Sequence, residues 1–446
     1  MNAACVKQSL LDQIENLAEH PELYCQNPGR DFTRKRKLSF SALVSFILDM
    51  HGGSMTHEII DFFLEKGISV STSAVVQMRD KLKAEVFRAL LLGFNKQMEE
   101  VSAPKTENGL RILAVDGSDI QIPVNTNDAE SFFPGTNGQK PYNLLHMNAL
   151  YDLKQRIYLD AIIQKRLNWN EHKALIEMAE ASPIDNALVI ADRGYESYNN
   201  LAHLQKRGWF YLIRIKDGKT GIVSGLDVPS TDEFDLEISM NLTRSITNEV
   251  KELCKDKNHY RYIPQNMNFD YLPLLRGTYG TKPVFYNLNY RIVRVRINGE
   301  LLETLVTNLP AEQYPPDKLK ELYALRWGIE TSFRSLKYTV GMLHFHSKKA
   351  ECIFQEVFAS LVIYNLTEWI TAQVIIQKPD CKHAYRVNFT VAVHICRKML
   401  SEKMHPPDVE ILIAKYIVPI RPNRKYERCM SKRGKDSAIN FIYRIA

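Results

Sequence analysis

Hydrophobic positions along this chain keep two different periods, and the change between them divides it. Up to about residue 105 the apolar residues recur at the three-to-four spacing of amphipathic helices. Ser39 to Met50 reads as an apolar helix after a basic run, and Thr56 to Lys66 as a second helix with Thr56 as its N-cap. The stretch GISVSTSAVVQMRDKLK then supplies a Gly turn, a Ser/Thr cap and a further helix. That outline matches a helix-turn-helix, although many αα-hairpins share it.

From about residue 108 the pattern turns strand-like. LRILAVDGSDIQIP, LLHMNALYDL and RIYLDAIIQ form a meander of three strands. Asn170 to Ala181 reads as helix, NALVIADRGYES as an apolar strand ending abruptly at Asp192, Ser197 to Arg207 as helix, and WFYLIRIK as a strand. The order β-β-β-α-β-α-β predicts an α/β fold with a mixed sheet and flanking helices. Lys216 to about Leu301 breaks this rhythm with Gly/Pro punctuation and a hairpin signal at Asn298-Gly299, and reads as an inserted β domain. In RIVRVRI, Arg294 and Arg296 alternate with Val293, Val295 and Ile297, which predicts one basic strand face. LLETLVTNLP returns the chain to the main sheet, and the remainder is mostly helical. The most apolar long run, Val357 to Ile376, contains Asn365, Glu368 and Gln373, so it reads as a buried helix and not a membrane span.

YALRWGIETSFRSLKY (323–338) carries a second pattern within its helical one. At about 100° per residue, Tyr323, Arg326, Glu330 and Lys337 fall within an arc of about 60°, with Trp327 near 40° at its edge. Leu322, Leu325, Ile329, Phe333, Leu336 and Val340 occupy a separate, buried arc. One carboxylate therefore stands in a column with a guanidinium, an ammonium and a phenol at the rim of a core. The plain alternative is an i,i+4 ion pair of Arg326 with Glu330 on a surface helix.

The 446 residues suffice for several domains, and a hydrophobic content of 45% with 24% charged residues is ordinary for a globular protein. The net charge of +7 is unevenly spread. Arg30, Arg34, Lys35, Arg36 and Lys37 form one basic cluster, and Arg421, Arg424, Lys425, Arg428, Lys432, Arg433 and Lys435 another, which suggests contact with a polyanion. Seven cysteines without CxxC spacing imply a reducing, cytoplasmic setting and no disulfide framework. Cys381, His383, His394 and Cys396 lack the spacing usual for zinc ligands. No signal-peptide pattern opens the chain.

Two apolar strands end in carboxylates, Asp116 and Asp192, where α/β sheets present side chains to a ligand crevice. Glu330 is a third. Brought together, the three would repel unless hard cations neutralised them, and Mg²⁺ accepts such oxygen ligands while leaving room for water and phosphate. Two such ions about 3.5–4 Å apart serve phosphodiester chemistry, with Arg326 and Lys337 available to hold a phosphate backbone. Singly, Asp116 could only cap the Gly117 turn and Asp192 only form an Asx turn. Asp119 competes with Asp116, but Asp116 ends the apolar run.

The set AVDGS, ADRGY and Tyr323-x2-Arg326-x3-Glu330-x6-Lys337 resembles the DDE transposases of bacterial insertion sequences, in the insertion-sequence-four family with its Tyr-Arg-Glu-Lys signature. The resemblance implies a ribonuclease-H-like core, with Asp116, Asp192 and Glu330 as catalytic metal ligands. It implies two Mg²⁺ ions, with Mn²⁺ as a possible substitute, and Tyr323, Arg326, Lys337 and Trp327 contacting DNA. The implied organisation is a helical DNA-binding region (1–107), a first core part (108–216), an inserted β domain (217–301), a second core part with the Glu helix (302–345) and a helical region with a basic tail (346–446). The implied reaction frees a 3′-OH at the ends of an element and joins it to target DNA. The implied partners are the terminal inverted repeats and target DNA, bound by a homodimer and without a membrane. A metal-dependent nuclease without strand transfer, and a non-catalytic DNA-binding protein derived from a transposase, are the alternatives. Some relatives stack a flipped base on the Trp after the motif Arg, which Trp327 matches, and on a second Trp in the insertion. Here Trp169, Trp209 and Trp369 all lie outside the insertion, leaving Tyr279, Phe285 or Tyr286 for that role.

If the two basic clusters touch phosphates, removing their charges will weaken binding to every DNA sequence and flatten its salt dependence. Salt titrations of DNA affinity check this; an unchanged slope would mean that both clusters are merely solvated.

Overall fold

The computed structural model describes residues 2–34, 36–64, 66–135, 138–217, 221–229, 232–274, 282–298, 301–376, 384–405 and 407–420. Helices α1 (Ala3–Ala18), α2 (Phe40–Asp49), α3 (Met55–Ile59), α4 (Thr72–Arg79) and α5 (Glu85–Val101) precede the sheet. Ser39, Ser54 and Ser71 cap α2, α3 and α4, each hydroxyl accepting from the N–H three residues on. Thr56, expected as a cap, lies inside α3, because Ser54 takes the first turn's free N–H. The second helix of the expected helix-turn-helix is α4, and its Arg79 is buried and bonded inward. The basic cluster Arg421–Lys435, together with Cys381 and His383, lies outside the described residues.

The sheet region runs β1 (Arg111–Ile122), β2 (Phe132–Phe133), β3 (Tyr142–Asp152), β4 (Ile157–Lys165), α6 (Glu171–Ala181), β5 (Ala187–Ala191), α7 (Tyr198–Lys206) and β6 (Phe210–Arg214). After it come β7 (Phe234–Thr243), α8 (Asn248–Leu253), β8 (Tyr260–Tyr262), β9 (Phe285–Asn298) and β10 (Leu301–Thr307). Apart from the two-residue β2, this is the expected order. The strands make one ten-stranded sheet, β2-β3-β1-β5-β6-β10-β9-β7-β8, with β4 also on β3. The stretch β4-β3-β1 is antiparallel and β1-β5-β6 parallel, a ribonuclease-H-like arrangement. Parallel strands are covered on both faces, so β1 and β5 can carry the runs Ile112–Val115 and Ala187–Ala191, all buried.

The segment 217–301 was expected to be an inserted β domain. Its strands extend the main sheet instead of forming a second one: β9 pairs with β10 on one side and β7 on the other. The expected basic face of RIVRVRI is absent. Arg294 is buried, 2.6 Å from Asp217 and bonded to Thr304, and Arg291 is buried against Asp235. Arg296 lies near Glu233. These guanidiniums pair within the sheet because neighbouring segments bring carboxylates to each of them.

Helices α9 (Pro316–Ala324), α10 (Trp327–Ser335), α11 (Ala350–Thr371), α12 (Phe389–Leu400) and α13 (Asp408–Lys415), with strands β11 (Tyr385–Val387) and β12 (Ile417–Pro419), complete the fold. Helix α11 is buried nearly all round, and among the described residues no helix is long and apolar enough to cross a membrane. Its polar residues are matched. Asn365 Oδ1 accepts from the N–H of Tyr158, while Asn365 Nδ2 donates to the Tyr158 carbonyl and to Asn95 Oδ1. One side chain thus joins α11, β4 and α5. Asn365→Ala strands these groups at about 1–3 kcal/mol for each one left unpaired, a loss readable as a lower urea midpoint at unchanged m-value.

Candidate active site

Side chains alternate faces along a strand. Ile112 on β1 and Leu188 and Ile190 on β5 contribute to one cluster, which also contains Leu319, Leu322 and Tyr323 of α9. By the same parity Asp116 and Asp192 face that side. The last parallel rung pairs Val115 with Ala191, and each aspartate is the residue that follows it. Asp192 lies just past β5, but Asp116 does not end its strand as expected: β1 continues to Ile122 because it stays paired with β3 after β5 has stopped. Asp116 is part-buried and accepts a 2.9 Å bond from the Gly117 N–H.

The Glu330 segment is not one continuous helix. α9 ends at Ala324, Leu325 and Arg326 form a turn, α10 begins at Trp327, and a π-helical turn spans Leu336–Val340. The N–H groups of Arg326, Gly328 and Ile329 bond three residues back, which tightens the chain there. The tightening changes the expected wheel. Ile329, Phe333, Leu336 and Val340 are buried as expected, but Leu325 is 36% exposed. Arg326 turns inward, only 5% exposed, and Trp327 outward, 48% exposed. α10 is seated on the sheet by a 2.8 Å bond between the hydroxyls of Ser332 and Tyr158.

Arg326 links the acidic residues. Its Nη1 lies 2.7 Å from Glu330 Oε1 and 3.8 Å from Asp116 Oδ2. The i,i+4 pair is therefore present but sits at the strand ends and not on a plain surface. Tyr323 donates its hydroxyl to Asp192 Oδ1 at 3.4 Å. Arg326 Nε is buried with no hydrogen-bond partner among the described residues. Lys337 does not meet the three carboxylates; its Nζ donates to the Asp119 carbonyl at 2.7 Å, and burial lowers its pKa. Sequence reasoning missed Arg214, at the end of β6, whose Nη1 is 3.9 Å from Asp192 and 3.3 Å from Glu303. Its only signal was its place at a strand end. Of the aromatics expected in the insertion, Phe285 is exposed, Tyr286 stacks on Tyr271 at 5.3 Å, and Tyr279 lies outside the described residues.

Burial pushes Asp116 up to about 6, and Glu330 and Asp192 add to the rise, while the Gly117 N–H and Arg326 oppose it. Uncompensated negative charge thus collects here. Oxygen donors and excess charge fit a hard divalent cation, although among the described residues no three potential ligands yet stand close enough to enclose one.

The model of the family described as "Transposase DDE domain" matches residues 107–366, more than half of the chain. The chain belongs to the DDE transposase family. It is similar to the transposase InsG for insertion sequence element IS4 of Escherichia coli (strain K12), 23% identical over 81% of this chain and 77% of the relative. It is also similar to the transposase for insertion sequence element IS231B of Bacillus thuringiensis subsp. berliner, 23% identical over 77% of this chain and 76% of the relative. Among solved structures, a piggyBac transposase synaptic complex with hairpin DNA aligns over 96% of this chain and 88% of that one, at 8% identity and a TM-score of 0.42. As a DDE transposase the chain is a DNA-cleaving and strand-transferring enzyme that works with divalent metal ions. Neither the nuclease nor the non-catalytic alternative is favoured.

The raised Asp116 pKa predicts a pH-dependent effect on metal-free stability. A carboxyl whose folded pKa lies above its unfolded value of about 3.9 opposes folding once ionised. The penalty is therefore full above pH 6 and vanishes below about 4. Asp116→Asn will raise the unfolding midpoint in EDTA at pH 8 and converge with the wild type near pH 4. Equal midpoints at both pH values would contradict the assigned environment.

Proposed function

We propose that Asp116, Asp192 and Glu330 are the metal-binding catalytic carboxylates of this transposase. The observation that carries this reading is the place where the parallel pairing of β1 with β5 stops: both aspartates follow the Val115–Ala191 rung on one face, and Arg326 joins Asp116 to Glu330. Two Mg²⁺ ions, replaceable by Mn²⁺, supply Lewis-acid activation of the attacking oxygen and stabilisation of the leaving one. The protein residues do the rest. The three carboxylates hold the charge, and Tyr323 fixes Asp192 by its hydroxyl. Arg326, whose Nη1 stands between Glu330 and Asp116, clamps a phosphate oxygen when DNA enters the site. Trp327 meets DNA from the exposed edge.

The reaction begins with water attacking the phosphodiester at an element end, which leaves a 3′-OH. That hydroxyl attacks a target phosphodiester, forming one P–O bond as another breaks. The substrate is double-stranded DNA, both terminal inverted repeats and target, held by a homodimer in the cytoplasm. Residues 1–107 form the DNA-binding region, 108–216 and 302–345 the catalytic core, 217–301 an insertion that prolongs the sheet, and 346–446 the C-terminal region. Lys337 braces β1 at the Asp119 carbonyl in the free protein and reaches the backbone of bound DNA from there.

A supercoiled plasmid carrying the element's ends tests this. Asp116→Ala, Asp192→Ala or Glu330→Ala will each abolish cleavage and leave binding to end DNA largely intact, because phosphate contacts elsewhere supply most of the affinity. Lys337→Ala will impair end cleavage with the fold retained, whereas a mere surface ion-pair change costs about 0–1 kcal/mol and leaves activity alone. Wild-type cutting by Asp192→Ala would sink the assignment.

A further inference from the structure

Behind the two aspartate-bearing strand ends lies a second charged cluster. His146 on β3 stands opposite Asp119 of β1 in the antiparallel register and is 5% exposed. Its Nδ1 is 2.7 Å from Asp119 Oδ1, and its Nε2 is 3.0 Å from Glu171 Oε1, the first residue of α6. Each ring nitrogen thus has a carboxylate partner. Burial opposes a charged imidazole, but the two carboxylates prevail and raise the His146 pKa. The Trp169 ring covers His146 at 4.5 Å, and Arg166 lies over Trp169 at 3.9 Å, with its Nε 3.0 Å from Asp119.

The cluster presses on β1 beside Asp116 and on the turn after Asp192. Gly117 directly follows Asp116, and a Cβ there would lie 2.4 Å from His146 Nε2 and 2.6 Å from Glu171 Oε1. Gly194 lies two residues beyond Asp192, and a Cβ there would meet Glu171 Oε2 at 3.2 Å. The two oxygens of one carboxylate thus face the residue after Asp116 and the turn that follows Asp192. On the far side the Asp119 carbonyl accepts from Lys337, just beyond α10. β1 and the segments that follow β5 and α10 all touch this cluster.

We propose that Asp119, His146 and Glu171 form a positioning bridge that sets the separation of β1 at Asp116–Gly117 from the turn after β5, and with it the spacing of the carboxylates, so that divalent-metal affinity depends on it. His146 and Glu171 are positioning residues and not metal ligands. The proposal rests on the catalytic reading of Asp116, Asp192 and Glu330. Partners that orient metal ligands typically change metal affinity 10–100-fold when removed.

The test measures Mn²⁺ affinity by calorimetry on the full chain bound to end DNA, beside DNA affinity and unfolding midpoint in EDTA. His146→Ala and Glu171→Ala will weaken Mn²⁺ binding about 10–100-fold with DNA affinity in EDTA unchanged, and their cleavage will recover at raised Mn²⁺. Glu171→Gln keeps an oxygen acceptor for His146 and will stay within a few-fold of the wild type. If His146→Ala does not fold, Gly117→Ala, which drives a methyl into the same contact, must give the same loss. Unchanged Mn²⁺ affinity in the bridge variants, with Asp192→Ala abolishing it, overturns the bridge alone. Glu171→Gln as damaging as Glu171→Ala also overturns it, because the charge and not the geometry would then matter. Mn²⁺ binding undiminished in Asp192→Ala overturns the catalytic reading instead.

Discussion

The parallel pairing of β1 with β5 is the constraint on which the rest of the site depends. Five rungs, from Arg111 opposite Ala187 to Val115 opposite Ala191, carry the chain up to the two aspartates. Because side chains alternate with period two, a one-residue slip of either strand would send its aspartate to the opposite face. The register is protected by burial on both faces: polar residues could not replace Ile112–Val115 or Ala187–Ala191 without leaving groups unsatisfied. Helix α9 covers the aspartate face with Leu319, Leu322 and Tyr323, and from that seat the chain turns back to bring Glu330 over the strand ends.

Charge compensation at the site is local and incomplete. Arg326 serves Glu330 closely and Asp116 at longer range, while Arg214 is shared between Asp192 and Glu303. Two guanidiniums thus stand among four carboxylates, and burial first, then the neighbouring Glu330 and Asp192, raise the Asp116 pKa against the pull of Arg326. A site that must receive both divalent cations and polyanionic DNA gains from such an arrangement, since full internal pairing would leave no charge for either. Elsewhere a buried guanidinium finds a carboxylate. Arg79 of α4 bonds Gln355 and Glu356 of α11, and Glu356 also bonds His346, which ties the N-terminal helices to the segment that follows the Glu helix. Breaking one partner of such a buried pair costs about 3–5 kcal/mol, so this joint is well suited to rigid transmission between the two regions.

Sequence alone determined the elements and the candidate chemistry, because both are written in local patterns. The apolar runs ending at Asp116 and Asp192, the Ser/Thr cap of α4 and the spacing from Tyr323 to Lys337 depend only on periodicity and on residue type. The tertiary structure decided what those patterns do not encode. A uniform helical wheel placed Leu325 inside, but the tightened turn at Leu325–Arg326 exposes it and swings Arg326 inward; pairing with distant Asp116 could not be read from neighbours in the chain. Alternation predicted a basic face of Arg294 and Arg296 on β9, yet Arg294 is buried against Asp217, more than fifty residues away. Asp119 read as a mere competitor of Asp116; it became an anchor only when β3 brought His146 beside it and α6 brought Glu171 to the other ring nitrogen. Contacts between segments remote in sequence set charge pairing and side-chain direction, and one sequence without its fold carries no record of them.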